Sequence, residues 1–175
     1  VRTWTATDDC GLTSTCNQTI RVVDTQDPFQ VGSTEAEITV ECHLPVPAFT
    51  PEFDDLCDDD LAITSSPGTP TGTSCLMSYT RTVTATDDCG RTHTVSQLVN
   101  IVDTTPPVIV CPVDAEIECT EGQGPDVTGS ATATDNCGGA LVSFTDGPAT
   151  TGCPYSFVRT WTATDDCGLT STCNQ

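Results

Sequence analysis

The chain has 175 residues, with 25 acidic side chains against 5 basic ones and a formal charge of -20. Phosphate backbones and anionic lipid surfaces are held by clustered cations, so this balance excludes nucleic acid as a partner and argues against docking on an anionic membrane. It favours solubility and affinity for cations.

The chain opens on VRTWTATDDCGLTSTCNQ, residues 1–18, and the same residues return at 158–175. The phrase TATDDCG stands at 5–11, 84–90 and 162–168, and the linkers VVDTQDP (22–28) and IVDTTPP (101–107) repeat in step with it. Self-similarity of this kind marks a tandem array. The chain reads as one 157-residue period plus an overlap into the next copy, each period holding two related, unequal modules. Residues 1–28 are the C-terminal strands and linker of a preceding module B. Residues 29–107 are a complete module A, and residues 108–175 are module B without the end of its last strand. The first residue is Val, and no signal peptide or run of spanning length is present. The expectation is a piece of a longer exported chain that does not insert into a membrane in this segment.

Local pattern is β throughout. LTSTCNQTIRVVD (12–24) reads as the return strand of a hairpin whose turn is DDCG, with glycine supplying positive φ. MSYTRTVTATD (77–87) and YSFVRTWTATD (155–165) alternate, placing Tyr155, Phe157, Trp161 and Ala163 on one face. SSPGTPTGTS (65–74) is a loop. In module B, strands are expected near 108–111, 114–119, 127–134, 140–146, 155–164 and from 169 onward, with no helix. Small modules of several short strands suggest antiparallel sandwiches. Arg81 and Arg159 fall in line with the apolar face, where a guanidinium reaches the sheet edge or pairs with an Asp; a ligand-binding arginine is the alternative.

Twelve cysteines and 5% aromatic residues describe a thin interior stapled by disulfides in an oxidising, extracellular compartment. Zinc is the competing use, but the chain has no CxxC pairs with histidines at fixed spacing, and His43 and His93 stand alone. If sequential strands alternate direction, Cys137 and Cys167 share one end of module B, and Cys119 and Cys153 the other. That predicts Cys137–Cys167 and Cys119–Cys153, with Cys57–Cys89 and Cys42–Cys75 in module A; an extra strand would exchange the partners. Cys111 and Cys173 have no counterpart in module A, where Val95 matches Cys173, and are expected to join the first strand to the last. Cys10 and Cys16 belong to the preceding copy, with partners outside this chain.

DTTPPVIVCP (103–112), TATDNCGG (132–139) and RTWTATDDCGLTSTCNQTIRVVD (2–24) resemble hyalin-repeat modules. The cysteine-rich form is similar to repeats in very long surface adhesins and filaments of gliding Bacteroidota. The resemblance covers nearly the whole chain and is weaker between 43 and 75. It implies tandem immunoglobulin-like sandwiches, a role in cell adhesion or surface structure and no enzyme, and it supports Cys111–Cys173.

Strand direction also gathers acids. One end of module B should collect Asp103, Asp135, Asn136, Asp165 and Asp166. The matching set in module A is Asp24, Asp27, Asp54, Asp55, Asp58, Asp59, Asp60, Asp87 and Asp88. Two carboxylates about 5 Å apart in water repel by roughly 0.8 kcal/mol, and more when desolvated. Calcium, which takes oxygen ligands of this type, is expected at module junctions; a solvated, repulsive surface is the other reading.

Catalysis has little support. Neither histidine sits in a nucleophile–base arrangement, the cysteines read as paired, and the carboxylates cluster in turns. The absence of lysine rules out Lys–Asn crosslinks. NQT (17–19) fits a glycan acceptor at Asn17, and DTT (103–105) resembles an O-glycosylation motif at Thr104. The leading expectation is a structural and adhesive stalk, its partners being adjacent copies of the repeat and an unknown surface or glycan target. The alternatives are a carbohydrate- or ligand-binding module of a larger secreted protein, and lateral self-association of chains into a fibre.

Overall fold

The computed structural model describes residues 1–152 and 154–175. The expected Cys119–Cys153 bond therefore falls partly outside the described residues. The elements in chain order are β1 (Arg2–Thr7), β2 (Thr13–Gln18), β3 (Phe29–Val31), β4 (Glu37–Glu41), β5 (Glu52–Asp54), β6 (Ala62–Ser66), β7 (Thr71–Thr73), β8 (Leu76–Thr86), β9 (Thr92–Val102), β10 (Val108–Val110), α1 (Pro125–Thr128), β11 (Thr132–Thr134), β12 (Ala140–Asp146), β13 (Arg159–Asp165) and β14 (Thr170–Asn174). The described residues are all-β apart from one helical turn, as the Thr- and Val-rich alternation requires. No helix among the described residues is long and apolar enough to cross a membrane.

Strands β1 and β2 form a hairpin, β3 pairs with β5, and β10 pairs with β11. A five-stranded sheet has the order β4-β9-β8-β6 with β7 on β8, and a three-stranded sheet has the order β12-β13-β14. The pairs β1–β2, β3–β5, β7–β8, β10–β11, β12–β13 and β13–β14 are antiparallel, whereas β4 pairs with β9 in parallel, in the register Glu37↔Leu98 to Glu41↔Val102. The expectation of a purely antiparallel sheet is corrected there: the first edge strand pairs with the last strand rather than with a hairpin partner, and therefore runs with it.

Two further expectations are corrected in module B. No strand forms over 114–119. Its counterpart β4 is a strand because residues 98–102 of β9 pair with it; residues 114–119 have no such ladder among the described residues. The stretch 127–134 is strand only from Thr132 to Thr134. Before it, Pro125 at the first helical position presets φ, and Thr128 Oγ1 donates to the Gly124 carbonyl (3.2 Å), closing α1.

The chain divides into two compact units. One comprises Val1–Gly32, Glu52–Thr64 and Thr84–Thr94; the other comprises Ser33–Pro51, Ser65–Val83 and Val95–Gln175. The second unit holds most of the buried apolar residues, namely Val83, Val95, Val99, Ala131, Trp161 and Ala163. That interior is thin, as the low aromatic content foretells. Strand β13 alternates as expected, with Arg159, Trp161, Ala163 and Asp165 buried. Trp161 lies between Phe144 of β12 (ring centroids 5.2 Å apart) and Cys173 of β14.

Candidate functional site

The motif Asp-x-Cys recurs at 8–10, 55–57, 87–89, 135–137 and 165–167, and its local structure explains why. A carboxylate two residues before an amide can cap that amide. Asp55, Asp135 and Asp165 each accept the cysteine N–H through Oδ1 at 2.8 Å. Asp165 Oδ1 also accepts from Leu169 N, and Asp87 Oδ1 accepts from Arg91 N at 2.7 Å, closing turns on Gly168 and Gly90 with φ near +81°. The turn uses one oxygen and leaves the other. Oδ2 of Asp55, Asp87, Asp135 and Asp165 is buried without a hydrogen-bond partner among the described residues.

Burial makes those oxygens costly. Asp55, Asp87 and Asp165 are only 6, 5 and 7% exposed, and a desolvated carboxylate needs a hydrogen-bond donor or a cation. In the second unit, Asp103 and Asp165 have carboxyl oxygens within 4.8 Å of each other, as do Asp103 and Glu41. Asp103 comes from the linker, Asp165 from the hairpin turn and Glu41 from the end of β4. In the first unit, Asp24 of the earlier linker lies within 4.8 Å of Asp55, while Arg91 lies in the field of Asp27, Asp24 and Asp87.

The structure sorts the expected acids. Asp27 is ion-paired with Arg91 at 2.9 Å, which raises the guanidinium pKa. Asp58 accepts from Asp60 N (2.9 Å) and Asp88 N (2.7 Å), and these two donors hold its carboxyl below the usual range. Asp54 accepts from Asp55 N. Asp59, Asp60, Asp88 and Asp166 are exposed. Glu41 was missed by sequence reasoning, although it stands immediately before Cys42 as Glu118 stands before Cys119.

The cystines correct the expected pairing. Cys42 bonds Cys137, Cys75 bonds Cys167, and Cys111 bonds Cys173, with Cα–Cα distances of 5.7, 5.2 and 6.0 Å. The pairs Cys42–Cys75 and Cys137–Cys167 do not form. Because β4 runs parallel to β9, its end arrives where β9 passes into the linker: Cys42 N donates to Val102 O (2.9 Å), and Glu41 accepts from Thr104 N and Thr104 Oγ1. Cys75 O accepts from Asp103 N at 3.4 Å. Cys42 and Cys75 of module A therefore flank the linker, where Cys137 and Cys167 meet them.

Cys57 and Cys89 are exposed thiols and do not bond each other. Desolvation pushes the Cys57 thiol up, followed by Asp24, Asp55 and Cys89 beside it. Cys10, Cys16 and Cys119 have no disulfide partner among the described residues. The grouping of Cys42, His43 and Cys137 is no zinc site, since the two sulfurs are bonded to each other.

Arg159 is buried and satisfied. It makes a two-point pair with Asp146 (2.6 and 2.9 Å), donates to Thr128 Oγ1 and Gln123 O, and lies 4.4 Å over the Phe144 ring. The pair holds the Asp146 carboxyl below its usual range. Arg81 donates to Gln97 Oε1 and covers the Phe49 ring at 5.2 Å. That ring borders an open cleft of about 210 Å³ with Tyr79 and Pro67. Its aromatic face is already occupied, which disfavours a sugar platform. Of the two glycan-acceptor positions, Asn17 accepts from Thr3 Oγ1, and Thr104 is exposed with its hydroxyl held by Glu41.

No family model matches the chain, and no curated protein matches it. Solved structures similar to it include N-cadherin EC1-4 from Drosophila, 12% identical with a TM-score of 0.39 over 85% of this chain and 48% of that one. Extracellular cadherin domains 1-4 of protocadherin gamma B7 are 16% identical, with a TM-score of 0.37 over 99% of this chain and 55% of that one. The chain spans about half the length of each of these structures.

Proposed function

We propose that this chain is a structural repeat of an extracellular filament or cell-surface stalk, with calcium held beside its module linkers. The observation that carries the reading is the pair of cystines Cys42–Cys137 and Cys75–Cys167, which tie residues of module A to residues of module B across one short linker. A hinge between two separate binding modules has no use for such ties; a load-bearing array does. Disulfides also support an oxidising compartment.

Calcium fits the orphaned buried oxygens. Asp103, Asp135, Asp165 and Glu41 would hold one ion, and Asp24, Asp55 and Asp87 another. The ion would supply positive charge and several oxygen-coordination positions; the chain supplies carboxylates already fixed by their own turn hydrogen bonds. No reaction is assigned to the protein. Adhesion to a surface or glycan target would be carried by the array as a whole, and bundling of chains is the competing assembly.

The test is a series of concatemers of one, two and four periods, imaged by electron microscopy. Contour length should rise in proportion to period number. Compact particles whose longest dimension does not scale would sink the stalk reading. Titration calorimetry with calcium on the chelator-treated chain should show binding that Asp165→Asn weakens at least tenfold. No heat of binding, with identical unfolding in calcium and in chelator, removes the ion from the proposal.

A further inference from the structure

The three cystines leave Cys57, Cys89 and Cys119 without an assigned role. Repeat register supplies one. Cys42 and Cys75 of module A stand where Cys119 and Cys153 stand in module B, offset by 77 and 78 residues; Cys57 and Cys89 stand where Cys137 and Cys167 stand, offset by 80 and 78. Among the described residues the first kind bonds only the second kind, Cys42 to Cys137 and Cys75 to Cys167. Within this chain the rule is satisfied once, from module A forward to module B.

We infer that the same two bonds recur from module B forward to the next module A, joining Cys119 to Cys57 and Cys153 to Cys89 of the following copy of the repeat. The inference rests on the array reading above, and deepens it by naming the bonds that join one period to the next.

Geometry on the receiving side is already in place. Cys137 Sγ lies within 4.8 Å of an Asp103 oxygen, and Cys57 Sγ lies within 4.8 Å of an oxygen of Asp24, the repeat equivalent of Asp103. Cys57 has Cys89 beside it, yet the two form no bond, just as Cys137 and Cys167 ignore each other in favour of separate partners. The donor side matches in sequence. Glu41 precedes Cys42 and holds Thr104, which follows Asp103; Glu118 precedes Cys119, and Thr25 follows Asp24. The forward junction is thus equipped for the same Glu–Thr clasp, with Glu118 accepting from Thr25 of the next copy. Cys10 and Cys16 fit as the equivalents of Cys167 and Cys173, and their partners are Cys75 and Cys111 of the copy before.

Each bond forms from two thiols with loss of two protons and two electrons. A small-molecule disulfide such as oxidised glutathione accepts them and leaves as two reduced thiols. The order is exchange: one protein thiolate attacks the small disulfide and expels a thiolate, and the second protein thiolate then attacks the mixed disulfide and expels the other.

The test is a two-period concatemer refolded in a glutathione buffer, isolated as a monomer and mapped by mass spectrometry of non-reduced digests. The expected result is peptides joining Cys119 to Cys57 and Cys153 to Cys89, each lighter by two hydrogens than the separate thiols and absent after reduction. A second version keeps Cys119 and Cys153 only in the first period and Cys57 and Cys89 only in the second, with serine elsewhere at those positions. It should give the same two bonds, which then run forward between copies. In the second version, bonds Cys57–Cys89 and Cys119–Cys153, or four reactive thiols, overturn the inference; in the first, where the outermost Cys57, Cys89, Cys119 and Cys153 have no neighbouring copy, the absence of both forward peptides does. Contour length separates the two readings. Rods that lengthen with period number but carry the wrong bonds refute this inference alone; the right bonds in particles that do not lengthen support it and refute the stalk.

Discussion

Replacing Cys111 and Cys173 together by alanine isolates a cystine that lies within a single module. The bond spans 62 residues, and closing a loop of that size in the unfolded chain is worth about 4 kcal/mol at 25 °C. The crosslink Cys75–Cys167 offers a shorter route, from Cys111 back to Cys75 and from Cys167 on to Cys173. The dependence is logarithmic, so the figure falls by only about 0.3 kcal/mol. The folded state retains the backbone ladder of β13 with β14 and the Gln175 amide bonds to Val113 O and Thr128 O. Nearly all of the loss should therefore appear as stability. Trp161 faces Cys173 across the ladder and is 3% exposed, whereas Trp4 is 54% exposed. In a Trp4→Phe background, fluorescence during guanidinium unfolding reports on this site alone. With a slope of a few kcal/mol per molar, the midpoint should fall by about 1–2 M. A fall worth less than about 1 kcal/mol at unchanged slope refutes the premise that cystines stabilise this thin interior by restraining the unfolded chain.

Asp146→Asn should cost about 1–2 kcal/mol at neutral pH, a figure discounted because the Asp146 side chain is 38% exposed. Its folded carboxyl titrates below the usual range because of Arg159. The contribution is therefore full above the unfolded value of about 3.9 and fades as pH falls through the lower folded value. Wild-type and variant melting curves should stay apart above about pH 4, begin to converge below it and meet only below the folded value. Gly72 has φ +127°, and a Cβ there would meet the Leu76 carbonyl oxygen at 2.1 Å. Gly72→Ala should cost about 2–3 kcal/mol and Gly90→Ala, with open space around it, about 1 kcal/mol, both read by chemical denaturation.

The repeat offsets predict the bounds of each module from the sequence alone. They predict which cysteines and acids share one end of a module, because a strand of fixed length carries its two flanking turns to opposite ends. They do not tell partner from neighbour. The offsets put Cys137 and Cys167 at one end, yet each bonds a cysteine flanking the preceding linker rather than the other. That choice depended on the direction of β4, and five residues with no hairpin signal do not reveal that they lie parallel to a strand some sixty residues later. Glu41 was hidden for the same reason: it reaches Asp103 only because β4 ends at the linker. The Asp-x-Cys turn was visible as a recurring phrase, yet its division of labour, one oxygen capping and one left over, required the packed turn. Asp27 looked like its fellow acids in sequence and differs only because Arg91 folds back to it.

The parallel pairing of β4 with β9 has a mechanical consequence. The chain enters this ladder at Glu37 and leaves it at Val102, at opposite ends of two strands that point the same way. Tension drawn through those two points loads the rungs lengthwise, in shear, so that they must give way together instead of unzipping one by one from a hairpin end. A pull that would peel an antiparallel hairpin apart gradually would here meet a single, abrupt yield point.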